Sequence, residues 1–91
     1  MLKGKERAAL RAQANKLPAI LQIGKNGIEE NLIKQVDDAL TARELIKIRV
    51  LDATFEDPRE AADFFAKELS AEVIQVVGSA IILYRKNPEK N

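Results

Sequence analysis

A chain of 91 residues, 46% apolar and 32% charged with a net charge of +1, has the size and composition of one small folded domain rather than a disordered segment. It contains no cysteine and no histidine, which excludes disulfides and thiolate chemistry and removes both the usual near-neutral general base and the commonest metal ligand. No apolar run approaches the ~20 residues of a membrane helix, and MLKGKERAAL has no signal-peptide core, so the expectation is a cytoplasmic protein with no membrane partner and no cofactor.

Residues 4–16, GKERAALRAQANK, predict a first helix, alanine-rich and free of β-branched residues. Leu10, Ala14 and Leu17 recur at helical spacing and face the core, while Lys3, Arg7 and Arg11 form a basic stripe four residues apart. Pro18 ends the helix. Residues 19–23, AILQI, read as a buried strand and are followed by the loop GKNG. Residues 28–44 then predict a strong helix with an apolar stripe of Ile28, Leu32, Ile33, Val36 and Leu40. Its first turn holds Glu29 and Glu30 and its last Arg43, in accord with the helix dipole.

Residues 45–51, LIKIRVL, alternate, with Ile46, Ile48 and Val50 to one side and Lys47 and Arg49 to the other. This is a strand with a basic outer face. Asp57-Pro58-Arg59-Glu60 has the N-cap, N1 and N3 pattern of a helix start, and the helix runs to Leu69 with Ala62, Phe65 and Leu69 inward and Phe64 beside them. EVIQVV and AIILYR are strands joined by a two-residue hairpin at Gly78-Ser79. The order α-β-α-β-α-β-β predicts a single α+β domain over residues 1–86, a mixed four-stranded sheet with helices packed on it and its first two strands parallel. Residues 87–91 form a polar tail.

Catalysis is not expected. Glu29/Glu30 and Asp37/Asp38 are adjacent on a helix, about 100° apart, and do not converge. GKNG is neither a P-loop nor a dinucleotide fingerprint. What it offers is two glycines between a strand and a helix, where backbone can pass close to a bulky group, with Lys25 at the tip. That is the physics of the GxxG loop that clamps a nucleic-acid backbone; a plain connecting turn at Asn26-Gly27 explains the motif equally well. Charge separates the two readings. Residues 1–27 carry six bases against one acid (+5), residues 28–72 carry −6 and residues 73–91 carry +2. The loop ends the basic segment, and a polyanion partner approaching from one side is the natural reading.

Taken together, LKGKERAALRAQANKLPAILQIGKNGIEENLI, ARELIKIRVL and EVIQVVGSAIILYR resemble, across residues 2–86, the CRM domain (chloroplast RNA splicing and ribosome maturation), in particular its stand-alone bacterial YhbY-like form. The resemblance implies an RNA-binding domain whose GxxG loop is Gly24, Lys25, Asn26 and Gly27, with a companion surface on the first helix at Lys5, Arg7 and Arg11. It also implies association with ribosomal RNA in precursors of the large ribosomal subunit. Where many relatives carry a basic residue after the hairpin glycine, this chain has Ser79, and its first helix is less densely basic.

The expected RNA-contacting residues are thus Gly24, Lys25, Asn26, Gly27, Lys5, Arg7, Arg11 and Lys16, with Lys47 and Arg85 extending the basic surface; for Lys47, Arg49 and Arg85 a solvated strand edge is an equal reading. Stacking platforms are scarce, Phe55 being the aromatic best placed for exposure, so shape and backbone recognition is expected. A monomer is the expected state. The competing function is a protein-interaction module that docks on a ribosomal or assembly protein through its acidic helices, at Asp37, Asp38, Glu56, Asp57, Glu60 and Asp63.

Overall fold

Residues 4–24, 27–51 and 57–86 are described by the computed structural model. Lys3, Lys25, Asn26, Phe55, Glu56 and the tail at 87–91 lie outside the described residues. The elements follow the predicted order: α1 (Gly4–Ala14), β1 (Leu21–Ile23), α2 (Glu30–Arg43), β2 (Leu45–Val50), α3 (Pro58–Leu69), β3 (Glu72–Val77) and β4 (Ala80–Tyr84).

The four strands form one mixed sheet in the order β1-β2-β4-β3. β1 pairs parallel to β2, and β4 pairs antiparallel to both β2 and β3. The alternation of β2 divides the molecule into two sides. Ile46, Ile48 and Val50 point to one face, where they join Ile23, Ile81 and Leu83 under Val36 and Leu40 of α2 and Ala61, Ala62 and Phe65 of α3. These side chains are the main core, and burying each of those larger than alanine stabilises the fold by roughly 1.5–3 kcal/mol. On the opposite face Ala14 of α1 packs on Ile74 and Ile82, with Leu10, Leu45 and Tyr84 around them. The result is three layers, with α1 alone on one face of the sheet and α2 and α3 on the other.

Local departures from the sequence expectation have local causes. The first helix ends at Ala14 rather than Lys16, because the last amides bond at shorter range: Lys16 N–H to the Gln13 carbonyl at 3.1 Å and Leu17 N–H to the Ala14 carbonyl at 3.0 Å. β1 is shorter than expected, beginning at Leu21, although Ile20 N–H already reaches the Lys47 carbonyl at 3.1 Å. α2 begins at Glu30, two residues late, with Glu29 as an extended N-cap. Asp57 takes the expected N-cap position ahead of Pro58, but its side chain makes no capping hydrogen bond; its carbonyl accepts from Ala61 N–H at 2.9 Å.

Ile74 follows Val73 by plain alternation onto the α1 side with Ile82, and the register shift between Val73 and Gln75 then returns Val76 to the main core. The hairpin is the expected two-residue turn: Val77 faces Ala80, and Gly78 has the positive φ (56°) that the first position of a II′ turn requires.

Candidate nucleic-acid interface

Between β1 and α2, Gly27 N–H donates to the Gly24 carbonyl at 2.9 Å, which draws the two glycines of GKNG together. The two glycines have different reasons to be there. Gly27 has φ +72°, the left-handed region where a side chain is strained. Gly24 is not in that region, and a Cβ added to it would meet nothing within 4 Å. The fold therefore requires Gly27 and does not require Gly24. Beyond the turn, the N-terminus of α2 is guarded by the exposed carboxylates Glu29 and Glu30, which already interact with the positive end of the helix dipole and would repel a second anion.

Charge is sorted by the sheet. On the α1 side lie Lys5, Arg7, Arg11 and Lys16 from α1 and its exit, and Lys47 and Arg49 from the outer face of β2, against Glu6, Glu72 and, beside Tyr84, Glu44. The α2/α3 side carries Glu29, Glu30, Asp38, Glu60, Asp63 and Glu68 against fewer bases. Lys47 and Arg49 come from the acidic middle of the sequence and reach the basic side only because strand alternation turns them away from the core. Among the described residues Lys5, Arg11, Lys16, Lys47 and Arg49 make no ion pair.

Two expected contact residues are committed elsewhere. The guanidinium of Arg7 donates to Glu72 Oε2 at 3.0 Å and also to the Val73 carbonyl, tying α1 to the start of β3. Arg85 does not extend the basic surface. It passes over the other side, donating to Asp37 Oδ1 (2.7 Å) and the Leu69 carbonyl (3.0 Å) through one nitrogen, and to the Asp37 carbonyl (3.0 Å) and Thr41 Oγ1 (2.8 Å) through the other. It is a clasp that holds the end of β4 to α2 and the C-terminus of α3. A hollow of about 550 Å³ beside it, lined by Glu30, Ile33, Lys34 and Leu69 among others, belongs to the acidic side.

α1 covers only part of its face. It packs on Leu45, Tyr84, Ile82 and Ile74; the next row of the sheet, where Gln22 pairs with Arg49 and Arg49 with Ala80, is left open. There a cleft of about 320 Å³ is lined by Leu17, Ala19, Lys47, Arg49, Val77, Ser79 and Ala80. Gln22 is two residues before Gly24, so the cleft and the loop adjoin along β1. Lys47 was legible as an outward strand residue. Arg49 follows from the same alternation. Ser79 stands out in the sequence only as the residue after the hairpin glycine and Val77 not at all, since only the sheet order brings the β3–β4 turn to β2.

No described helix is long and apolar enough to cross a membrane. Residues 2–85 match the sequence model of the CRS1 / YhbY (CRM) domain. The chain is 42% identical over 89 residues to the Bacillus subtilis protein named "Probable RNA-binding protein YqeI", covering 98% of this chain and 93% of that one. It is 44% identical over 86 residues to "Probable RNA-binding protein MJ0652" of Methanocaldococcus jannaschii, of whose length it spans 63%. The fold is similar to the solution structure of the Staphylococcus aureus protein SAV1595, with a TM-score of 0.82 and 46% identity, covering 100% of this chain and 95% of that one.

Proposed function

The chain belongs to the CRS1 / YhbY (CRM) domain family, and on that footing we propose that it is a non-catalytic RNA-binding protein that associates with ribosomal RNA in precursors of the large ribosomal subunit. RNA is what its relatives are named for. The observation that carries the reading to a site is Gly24. The fold does not require a glycine there, yet a backbone ligand approaching the turn does, because any side chain at Gly24 fills the space it enters. Gly24 and Gly27 stand at the edge of the basic side, where Lys5, Arg11, Lys16 and Lys47 are free to meet phosphates, and Lys25 lies between the two glycines in sequence. Arg85 is left out of this interface and Arg7 is secondary to it, because both guanidinium groups are held by internal acceptors.

The polar contacts are to phosphate, so they position the RNA more than they read its sequence. About four neutralised phosphates on a single strand give a log–log salt slope near −3. The test is binding of a ribosomal RNA fragment across a salt series by the full chain, Lys25→Glu and Arg11→Glu. Each variant is expected to weaken binding and flatten the slope. RNA binding that neither change weakens, or no binding at low salt, contradicts the reading. Sedimentation of the protein with immature large-subunit particles, and not with mature subunits alone, tests the ribosomal part.

A further inference from the structure

The open row of the sheet beside the loop has the make-up of a site. We propose that the cleft between the α1–β1 connection and the β3–β4 hairpin receives one nucleotide of a single-stranded RNA, the continuation of the strand whose backbone lies at Gly24–Gly27. This deepens the RNA reading above and rests on it.

The cleft has a charged floor between apolar edges. Lys47 and Arg49 rise from β2, two residues apart on the same face, and neither has an ion-pair partner among the described residues. The rim is apolar: Leu17 and Ala19 on one side and Val77 on the other, with Ala80 in the floor. Val77 is 55% exposed, more than any other large apolar residue among those described. A cationic floor under an apolar rim suits a phosphate joined to a base. The base loses water against Leu17 and Val77, and the phosphate meets the two cations. An acidic peptide would use the cations but leave the valine in water.

Ser79 adds a hydroxyl at the hairpin end of the cleft. Its carbonyl is already bonded to Val50 N–H at 2.7 Å, which fixes the turn against β2. Distance along the sheet fits as well. Gln22, the partner of Arg49, is two residues from Gly24, about 7 Å at the rise of a strand. That is close enough for the loop and the cleft to hold neighbouring nucleotides of one strand. A base can enter only if it is unpaired, so single strands are preferred to duplex.

The experiment measures fluorescence anisotropy of a labelled single-stranded RNA oligonucleotide with the full chain across a salt series. Variants are Arg49→Ala, Ser79→Lys, Val77→Ser and the loop variant Lys25→Glu, with folding checked by circular dichroism. Arg49→Ala is expected to weaken binding and make the slope shallower by about 0.7, and Ser79→Lys to strengthen it and make the slope steeper by about 0.7. Val77→Ser is expected to weaken binding with the slope unchanged. If Lys25→Glu weakens binding while the three cleft variants match the parent chain, the cleft proposal is overturned and the loop reading stands. If the parent chain binds no RNA, both fall. Poly-glutamate competing as well as RNA at equal charge also overturns the nucleotide assignment.

Discussion

Arg85 gives the sharpest test of how the structure divides its charges. Its guanidinium makes four hydrogen bonds that join three elements, and its side chain is 21% exposed. Replacing it by alanine removes them together. The ion pair to Asp37 is worth about 0.5 kcal/mol, because the Asp37 carboxylate is 48% exposed and screened. The bonds to the Leu69 carbonyl, the Asp37 carbonyl and Thr41 Oγ1 contribute about 0.5–1 kcal/mol each. The Leu69 carbonyl also loses the cation at the C-terminus of α3. The sum is about 2–3.5 kcal/mol, and at roughly 4–8 °C per kcal/mol for a chain of this size the midpoint falls by about 8–28 °C. Urea denaturation with an unchanged m-value reads this directly. Arg85→Lys keeps the charge but not the planar fork and is expected to recover less than half the loss. A loss below about 0.5 kcal/mol, no more than that of the exposed control Lys34→Ala, refutes the clasp. So does a variant of parental stability that binds RNA more weakly, because Arg85 would then be a contact residue.

Other outcomes follow from the same geometry. Gly24→Ala is expected to leave stability unchanged or raised by up to about 1 kcal/mol, whereas Gly27→Ala, at φ +72°, lowers it by about 1 kcal/mol; equal losses in thermal melts contradict the different roles given to the two glycines. Ser70 ends α3 in the left-handed region, φ 54° and ψ 44°, so Ser70→Gly is expected to stabilise the fold by about 1 kcal/mol, and a destabilised variant in chemical denaturation counts against that cost. The Tyr84 hydroxyl is pushed above its ordinary value of 10.0 by burial first and then by Glu44 and Glu6. The fold favours the neutral phenol, so its contribution is full below pH 10.0 and is lost as pH rises through the folded-state value. Phenolate absorbance should titrate later in the folded chain than in urea, and an equal or earlier midpoint contradicts the burial.

Much of this architecture is written in short-range pattern. The Asp57-Pro58 start and the apolar spacing after it give α3 to the residue, and the alternation of LIKIRV gives β2 with its two faces. Gly78-Ser79 gives the hairpin. What the sequence hides is pairing at long range. Arg7 meets Glu72 and Arg85 meets Asp37 across separations of 65 and 48 residues, and no local pattern distinguishes these arginines from Arg11 or Lys86. The helix caps lack the usual glycine stop signal, since Glu44 and Ser70 both take positive φ without being glycine, and for α3 the apolar spacing alone marks the end. The basic side was half legible. The charge excess before residue 28 announces α1, but Lys47 and Arg49 lie in an acidic stretch and join that side only through the sheet. The motif itself keeps both of its readings, for Gly27 makes the turn and Gly24 leaves the turn open to a ligand.

The most direct test is a nuclear magnetic resonance titration of the uniformly labelled chain with single-stranded RNA. RNA held at the loop and the basic side shifts the amides of residues 24–27 with those of Lys16, Lys47 and Arg49, while Glu29, Glu30 and the exposed faces of α2 and α3 stay in place. Shifts at Glu29, Glu30 and the α2/α3 side, with residues 24–27 unmoved, would contradict it.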